Sequence, residues 1–117
     1  TFRRLLAAGI KEDYSMGYRS INGFKASVAS PFVWYDLEKG QQTDLLLHPF
    51  CYMESNSFYE QKVSSQEALE EMLHYLNEVK KVNGTLITLW HNTFLGTDPF
   101  FAGWREVYQQ FIKEAAR

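Results

Sequence analysis

Three histidines and a few carboxylates are the residues of this chain that could move a proton or engage a substrate. His91 stands out among them. It lies in "LITLWHNTF", residues 86–94, where a run of apolar and β-branched residues meets Trp90, His91 and Asn92, then opens into Gly96, Asp98 and Pro99. An imidazole at the carboxyl end of a strand stands where α/β sheets gather their chemistry. To act as general acid or base it needs a partner that orients one ring nitrogen. Its plainer role is to cap the strand through a backbone hydrogen bond. Glu54 ends the other long apolar run and is a candidate partner; its plainer role is a solvated carboxylate. Lys25, Asp13 and Asp36 are further candidates, each more commonly a surface charge. His48 precedes Pro49 and reads as packed or backbone-bonded, and His74 lies off the apolar stripe of its helix. The three histidines are far apart, with no HxH or HxxxH, so no pair has metal-ligand spacing. Cys51 is the single cysteine, which excludes an internal disulfide and a cysteine-built zinc site.

The elements that must hold these groups follow from pattern. Phe2, Leu5 and Leu6 share a helical face that stops at Gly9. Residues 13–30 mix Gly, Ser and aromatics without a helical period and read as a short strand and a long loop. "FVWYDL" (32–37) is a strand, "EKGQQ" (38–42) a turn centred on Gly40, and "DLLLHPFCYM" (44–53) a second apolar run interrupted or placed at an edge by Pro49. Both runs are apolar on both sides, which predicts a sheet covered on two faces. Ser64 and Glu67 form a capping box, with Val63 and Ala68 placed as a staple. Leu69, Met72, Leu73, Leu76 and Val79 make the stripe of the helix that follows. Asn83-Gly84 ends it, with the glycine expected in the left-handed conformation. A buried strand over 85–92 follows, with Thr85, Ile87, Leu89 and His91 on one side and Trp90 and Asn92 on the other. A last helix carries Trp104, Val107, Tyr108, Phe111 and Ile112. Strand, helix, strand, helix is an α/β signature.

Bulk properties bound the function. The 117 residues are 45% hydrophobic and 16% aromatic, enough for one domain with a core. Charged residues make up 22% and the net charge is -2, with no basic stripe, which argues against a nucleic-acid partner. No run of 18 apolar residues exists to span a membrane. The chain opens on Thr1 within a helical pattern, which predicts a piece of a longer protein. The sequon Asn83-Gly84-Thr85 falls in a tight turn and reads as incidental.

Taken in order, "DYSMGYRSINGFKASVASPFVWYDL", "LLLHPFCYME…FY", "LWHNTF" and "GWREVYQQFI" resemble the C-terminal part of bacterial polysaccharide deacetylase-like proteins, the NodB-homology or carbohydrate esterase family 4 superfamily. The resemblance covers nearly the whole chain. It implies the C-terminal portion of a distorted (β/α) barrel, with a β-hairpin-like insertion around residues 32–53. It also implies hydrolysis of N-acetyl groups on a polysaccharide or oligosaccharide with a divalent, zinc-like metal. The family's metal and base motifs, of the type Thr-Phe-Asp-Asp and His-Ser/Thr-x-x-His, are absent, so this segment is expected to bind no metal and to be inactive alone. The family's Leu-x-His motif is present as Leu89-Trp90-His91, and by resemblance His91 is the general acid. The family's arginine maps to Lys25, which keeps the charge but loses the bidentate fork. The acidic residue that orients the histidine maps to Glu54, where the subgroup has Asp. Trp90, Asn92 and Trp104 are expected to contact substrate; the plainer role of Asn92 and Trp104 is to brace the loop after the strand. An extracytoplasmic or envelope location follows from the resemblance. Exposed strand edges predict self-association, as a homodimer. Two other readings stand beside the hydrolase: a non-catalytic carbohydrate-binding or structural module on a degenerate barrel of this type, and a small α/β interaction domain unrelated to sugars.

Overall fold

The computed structural model describes all 117 residues and is a mixed α/β assembly of two small sheets and three α-helices. Helix α1 (Phe2–Ala7) stops at Gly9, whose φ of 80° lets the Gly9 and Ile10 N–H groups fold back onto the carbonyls of Leu6 and Leu5. Strands β1 (Glu12–Asp13), β2 (Phe32–Asp36) and β3 (Gln41–Leu47) form the first sheet in the order β1-β3-β2. β1 runs parallel to β3, and β2 runs antiparallel to it through a turn closed by Gly40 at φ 62°. The register of β2 on β3 shifts between Val33 and Tyr35. There the Thr43 hydroxyl donates to the Trp34 carbonyl at 2.6 Å and supplies the partner the irregular ladder lacks.

Two expectations about this region change. Val33 and Tyr35 are 38% and 50% exposed, so the sheet is covered on one face and not on two. The hairpin also spans 32–47, not 32–53, because β3 ends at Leu47. Pro49 has no N–H to continue the ladder, and the chain crosses through Phe50 and Cys51 into a separate strand, β4 (Tyr52–Met53). The long loop after β1 is pinned across this crossing. Phe50 N–H donates to Met16 O at 3.0 Å and Gly23 N–H to Cys51 O at 2.7 Å. Gly17 is required there, since a Cβ would fall 2.2 Å from the Phe50 ring.

Helix α2 (Ser65–Lys81) starts where the capping box predicts, with Glu67 N–H donating to the Ser64 hydroxyl at 3.1 Å. Its end differs in one detail. Asn83, at φ 57°, takes the left-handed position, while Gly84 N–H bonds the Val79 carbonyl at 2.9 Å. Gly84 is needed for space: a Cβ there would lie 2.5 Å from the Ala29 carbonyl oxygen. The predicted strand 85–92 shortens to β5 (Thr88–Leu89), parallel to β4, and it is not buried, since Leu89 is 37% exposed. β4, α2 and β5 together form one βαβ crossover. Helix α3 (Trp104–Ala115) buries Trp104, Val107 and Phe111, while Ile112 is 45% exposed, so its apolar stripe is narrower than predicted.

The core lies where α2 and α3 meet the β4–β5 pair. Tyr52, Leu69, Met72, Leu76, Val107 and Phe111 form one cluster, and Ala68, Phe94 and Trp104 a second. Trp90 touches both. The molecule is long, 49 × 30 × 22 Å, with a radius of gyration of 16.2 Å. A compact chain of this length would have about 13 Å. The accessible surface is 7649 Å², against about 6,600 Å² for a compact chain of this mass. No helix is long and apolar enough to cross a membrane.

Candidate functional site

The parallel pairing of β4 with β5 sets Tyr52 opposite Thr88 and Met53 opposite Leu89. Parallel strands end on the same edge, so the residues just beyond them, Glu54 and His91, arrive together. His91 Nδ1 lies 2.5 Å from Glu54 Oε1, and the His91 backbone N–H donates to the same oxygen at 2.8 Å. The pair is strongly asymmetric in exposure: the histidine side chain is 55% exposed and the glutamate 0%. Glu54 is therefore not the solvated carboxylate its plainer role would make it. The carboxylate accepts from Nδ1–H and selects the tautomer in which Nε2 carries the lone pair. A ring held this way can take a proton at Nε2 and then deliver it, with the carboxylate steadying the imidazolium between the two steps.

Glu54 Oε2 is fully enclosed and has no hydrogen-bond partner. A buried acceptor left unpaired costs about 1–3 kcal/mol. The Trp90 indole N–H is also enclosed without an acceptor. Just after Glu54 the chain makes a π-helical turn, Asn56–Glu60, a conformation concentrated at functional sites. Just after His91 it makes a 3-10 turn, Asn92–Leu95, with Phe94 N–H bonded to the His91 carbonyl at 3.1 Å. Phe94 is buried against Trp104 and Phe101, which anchors the loop that carries His91.

The remaining predicted site residues are dispersed. Lys25 is exposed in a turn and takes no part in the bonds of the His91–Glu54 pair. Asn92 is exposed with no side-chain hydrogen bond. Trp104 is 3% exposed and packs against Phe94, Phe58 and Trp90, so its ring braces the loop from within the core. Trp90 is half-buried and meets Tyr108 edge-on at 4.9 Å. Asp13 accepts from the Ser15 N–H and hydroxyl in a local turn. His48 stacks on Tyr14 at 4.1 Å and bonds Glu12 at 3.0 Å. His74 is exposed on α2. Asp36 is buried and accepts both Arg3 Nε and an Arg3 terminal nitrogen, at 2.9 and 2.8 Å, which holds its carboxyl well below the usual range.

Sequence reasoning missed a polar cluster behind Glu54. Asn22, Asn56, Ser57 and Glu71 come from a loop, the π-helical turn and α2; they join through the Asn22 amide, and Ser57 also meets the Tyr52 hydroxyl. Only "ESNS", small polar residues directly after an apolar strand, hints at it in the sequence. No group of three His, Cys, Asp or Glu side chains is placed to hold a metal ion. Compared with protein-family models, curated proteins and solved structures, the chain matches none.

Proposed function

We propose that this chain is the C-terminal part of a polysaccharide deacetylase-like hydrolase and supplies its proton donor. The observation that carries the reading is the His91–Glu54 contact, with a buried carboxylate on Nδ1 and an exposed ring edge at Nε2. In amide hydrolysis the tetrahedral intermediate collapses only when the leaving nitrogen is protonated, and Nε2 of an imidazolium held by Glu54 is suited to that step. The divalent ion that the resemblance implies does not fit any residue set in this chain. Ligands for it would have to come from outside these 117 residues, and no step here is routed through it.

The test is hydrolysis of N-acetylated chito-oligosaccharides by the longer protein that contains this segment. His91→Ala is expected to lower kcat by about 10²–10⁴ with little change in KM. A variant as fast as the parent removes the proposal.

One observation favours a second reading, a non-catalytic carbohydrate-binding module. Lys25 and Glu54 both depart from the residues of the resemblance, and Glu54 Oε2 has no hydrogen-bond partner. Under that reading the longer protein binds the oligosaccharide without releasing acetate, and His91→Ala leaves binding intact.

A further inference from the structure

Glu54 is flanked by two groups that one side chain holds. Asn22 Oδ1 accepts the Met53 backbone N–H at 3.0 Å, on the near side of Glu54, and Asn56 Nδ2 at 3.3 Å, on the far side. Asn56 Nδ2 also donates to the Ile21 carbonyl at 3.0 Å. The other end of the Asn22 amide, Nδ2, donates to Glu71 Oε1 at 2.9 Å and reaches the Ser57 oxygen at 3.3 Å. Ser57 in turn donates to Glu71 Oε1 at 3.2 Å and meets the Tyr52 hydroxyl at 3.0 Å. Burial pushes the Tyr52 phenol up, and because the single Ser57 hydroxyl proton goes to Glu71, the phenol O–H is the donor to Ser57. Asn56 and Ser57 are 3% and 0% exposed, so water does not compete for these bonds.

An amide has one donor end and one acceptor end, and Glu71 decides which way it points. Flipped, Asn22 would aim its NH₂ at the Met53 N–H and its oxygen at a carboxylate. The strand before Glu54 is two residues long and the turn after it is π-helical, so regular ladder bonds contribute little to holding the carboxylate. We propose that Asn22, oriented by Glu71, is the positioning residue that aims Glu54 at His91 Nδ1. The catalytic meaning of that aim rests on the proposed proton-donor role, but the hydrogen bond itself does not.

The experiment reads the His91 ring directly by nitrogen-15 NMR of the full-length protein with its histidines labelled. It records the tautomer and the rate at which the Nδ1 proton exchanges with solvent, referenced to the His74 backbone amide of α2 in the same sample. Asn22→Asp sets a carboxylate against Glu71, and N22D/E71Q restores one donor and one acceptor with their places exchanged. N22D is expected to speed Nδ1–H exchange at least about tenfold relative to that α2 amide and to deplete the Nδ1–H tautomer. N22D/E71Q is expected to return both to within about threefold of the parent. A folded N22D with the parental tautomer and exchange rate overturns the proposal. If N22D alone does not fold, the double variant decides. A protected proton in it supports the clamp, while an unfolded chain or an unprotected proton overturns it. No hydrolysis enters this measurement, so a failed clamp and a failed proton-donor reading give separate signatures.

Discussion

At the scale of the residue, the carboxylate on His91 is the feature with most to lose. Glu54→Gln keeps an oxygen for the His91 backbone N–H but removes the charge that steadies an imidazolium. Under the proposed hydrolase reading, activity is expected to fall by about a hundredfold, with the melting temperature changed far less. Activity in E54Q equal to the parent would mean that the pair is purely structural. Cys51 offers an independent check on burial. It is 2% exposed, and burial followed by the nearby Glu71 charge pushes its thiol up to about 12. Alkylation of the native chain near pH 8 is expected to be at least about a hundredfold slower than after denaturation. Equal rates would show that the crossing between β3 and β4 opens readily. The His91–Glu54 partnership was legible in the sequence because both residues end apolar runs, and in a parallel pair the ends of strands are neighbours. Asn22 and Glu71 were not legible. Their roles depend on a loop touching a helix 49 residues away, and neither carries a local pattern.

At the scale of the element, the most legible piece was α2. A capping box, a staple and a five-residue stripe all point to the same boundaries, and such agreement between independent local signals makes a helix readable. Its terminus shows the limit of that approach. Glycine after asparagine reads as the left-handed residue, yet Asn83 takes that role and Gly84 is kept by the close passage of Ala29, a contact no local pattern encodes. Gly84→Ala is expected to destabilise by about 1–3 kcal/mol in a denaturant titration, because the Ala29 backbone must move. Asn83→Gly is expected to be neutral or slightly stabilising, since glycine adopts positive φ without a Cβ clash. The reverse ranking would return the left-handed position to residue 84. The split of residues 44–53 between two sheets has the same origin. The apolar run is continuous in sequence, but a missing N–H at Pro49 ends one ladder and frees the chain to begin another.

At the scale of the whole molecule, two properties follow from how α1 and the first sheet are joined and how much surface stays wet. Asp36 on β2 carries Arg3 of α1 on both oxygens and accepts the Glu38 and Lys39 N–H groups as well. Its folded pKa lies below the unfolded value, so its contribution to stability is full above about pH 4 and disappears as pH falls through the folded value. The melting temperature is expected to drop below about pH 4 in the parent, and to be lower at neutral pH with a flatter acid limb in Asp36→Asn. Parallel acid limbs would assign the acid sensitivity elsewhere. The accessible surface exceeds that of a compact chain by about 1,000 Å², and Leu37 and Phe100 are 86% and 65% exposed. Light scattering is expected to show association that grows with concentration; a monodisperse monomer throughout would count against it. The barrel of the resemblance is a matter of long-range closure, and a two-stranded parallel pair beside a three-stranded sheet carries too little of such a circuit to display it.

That wet surface also fixes how the chain answers denaturant. Urea and guanidinium act through the area that unfolding newly exposes, and the slope of stability against their concentration measures that area. A molecule that has already surrendered part of its apolar surface to water has less left to reveal. Its transition is expected to be broader, and its heat-capacity increment smaller, than those of a compact chain of equal length. A polypeptide that covers the exposed faces would sharpen both, so the steepness of a melt becomes a gauge of whether the surface has found its cover.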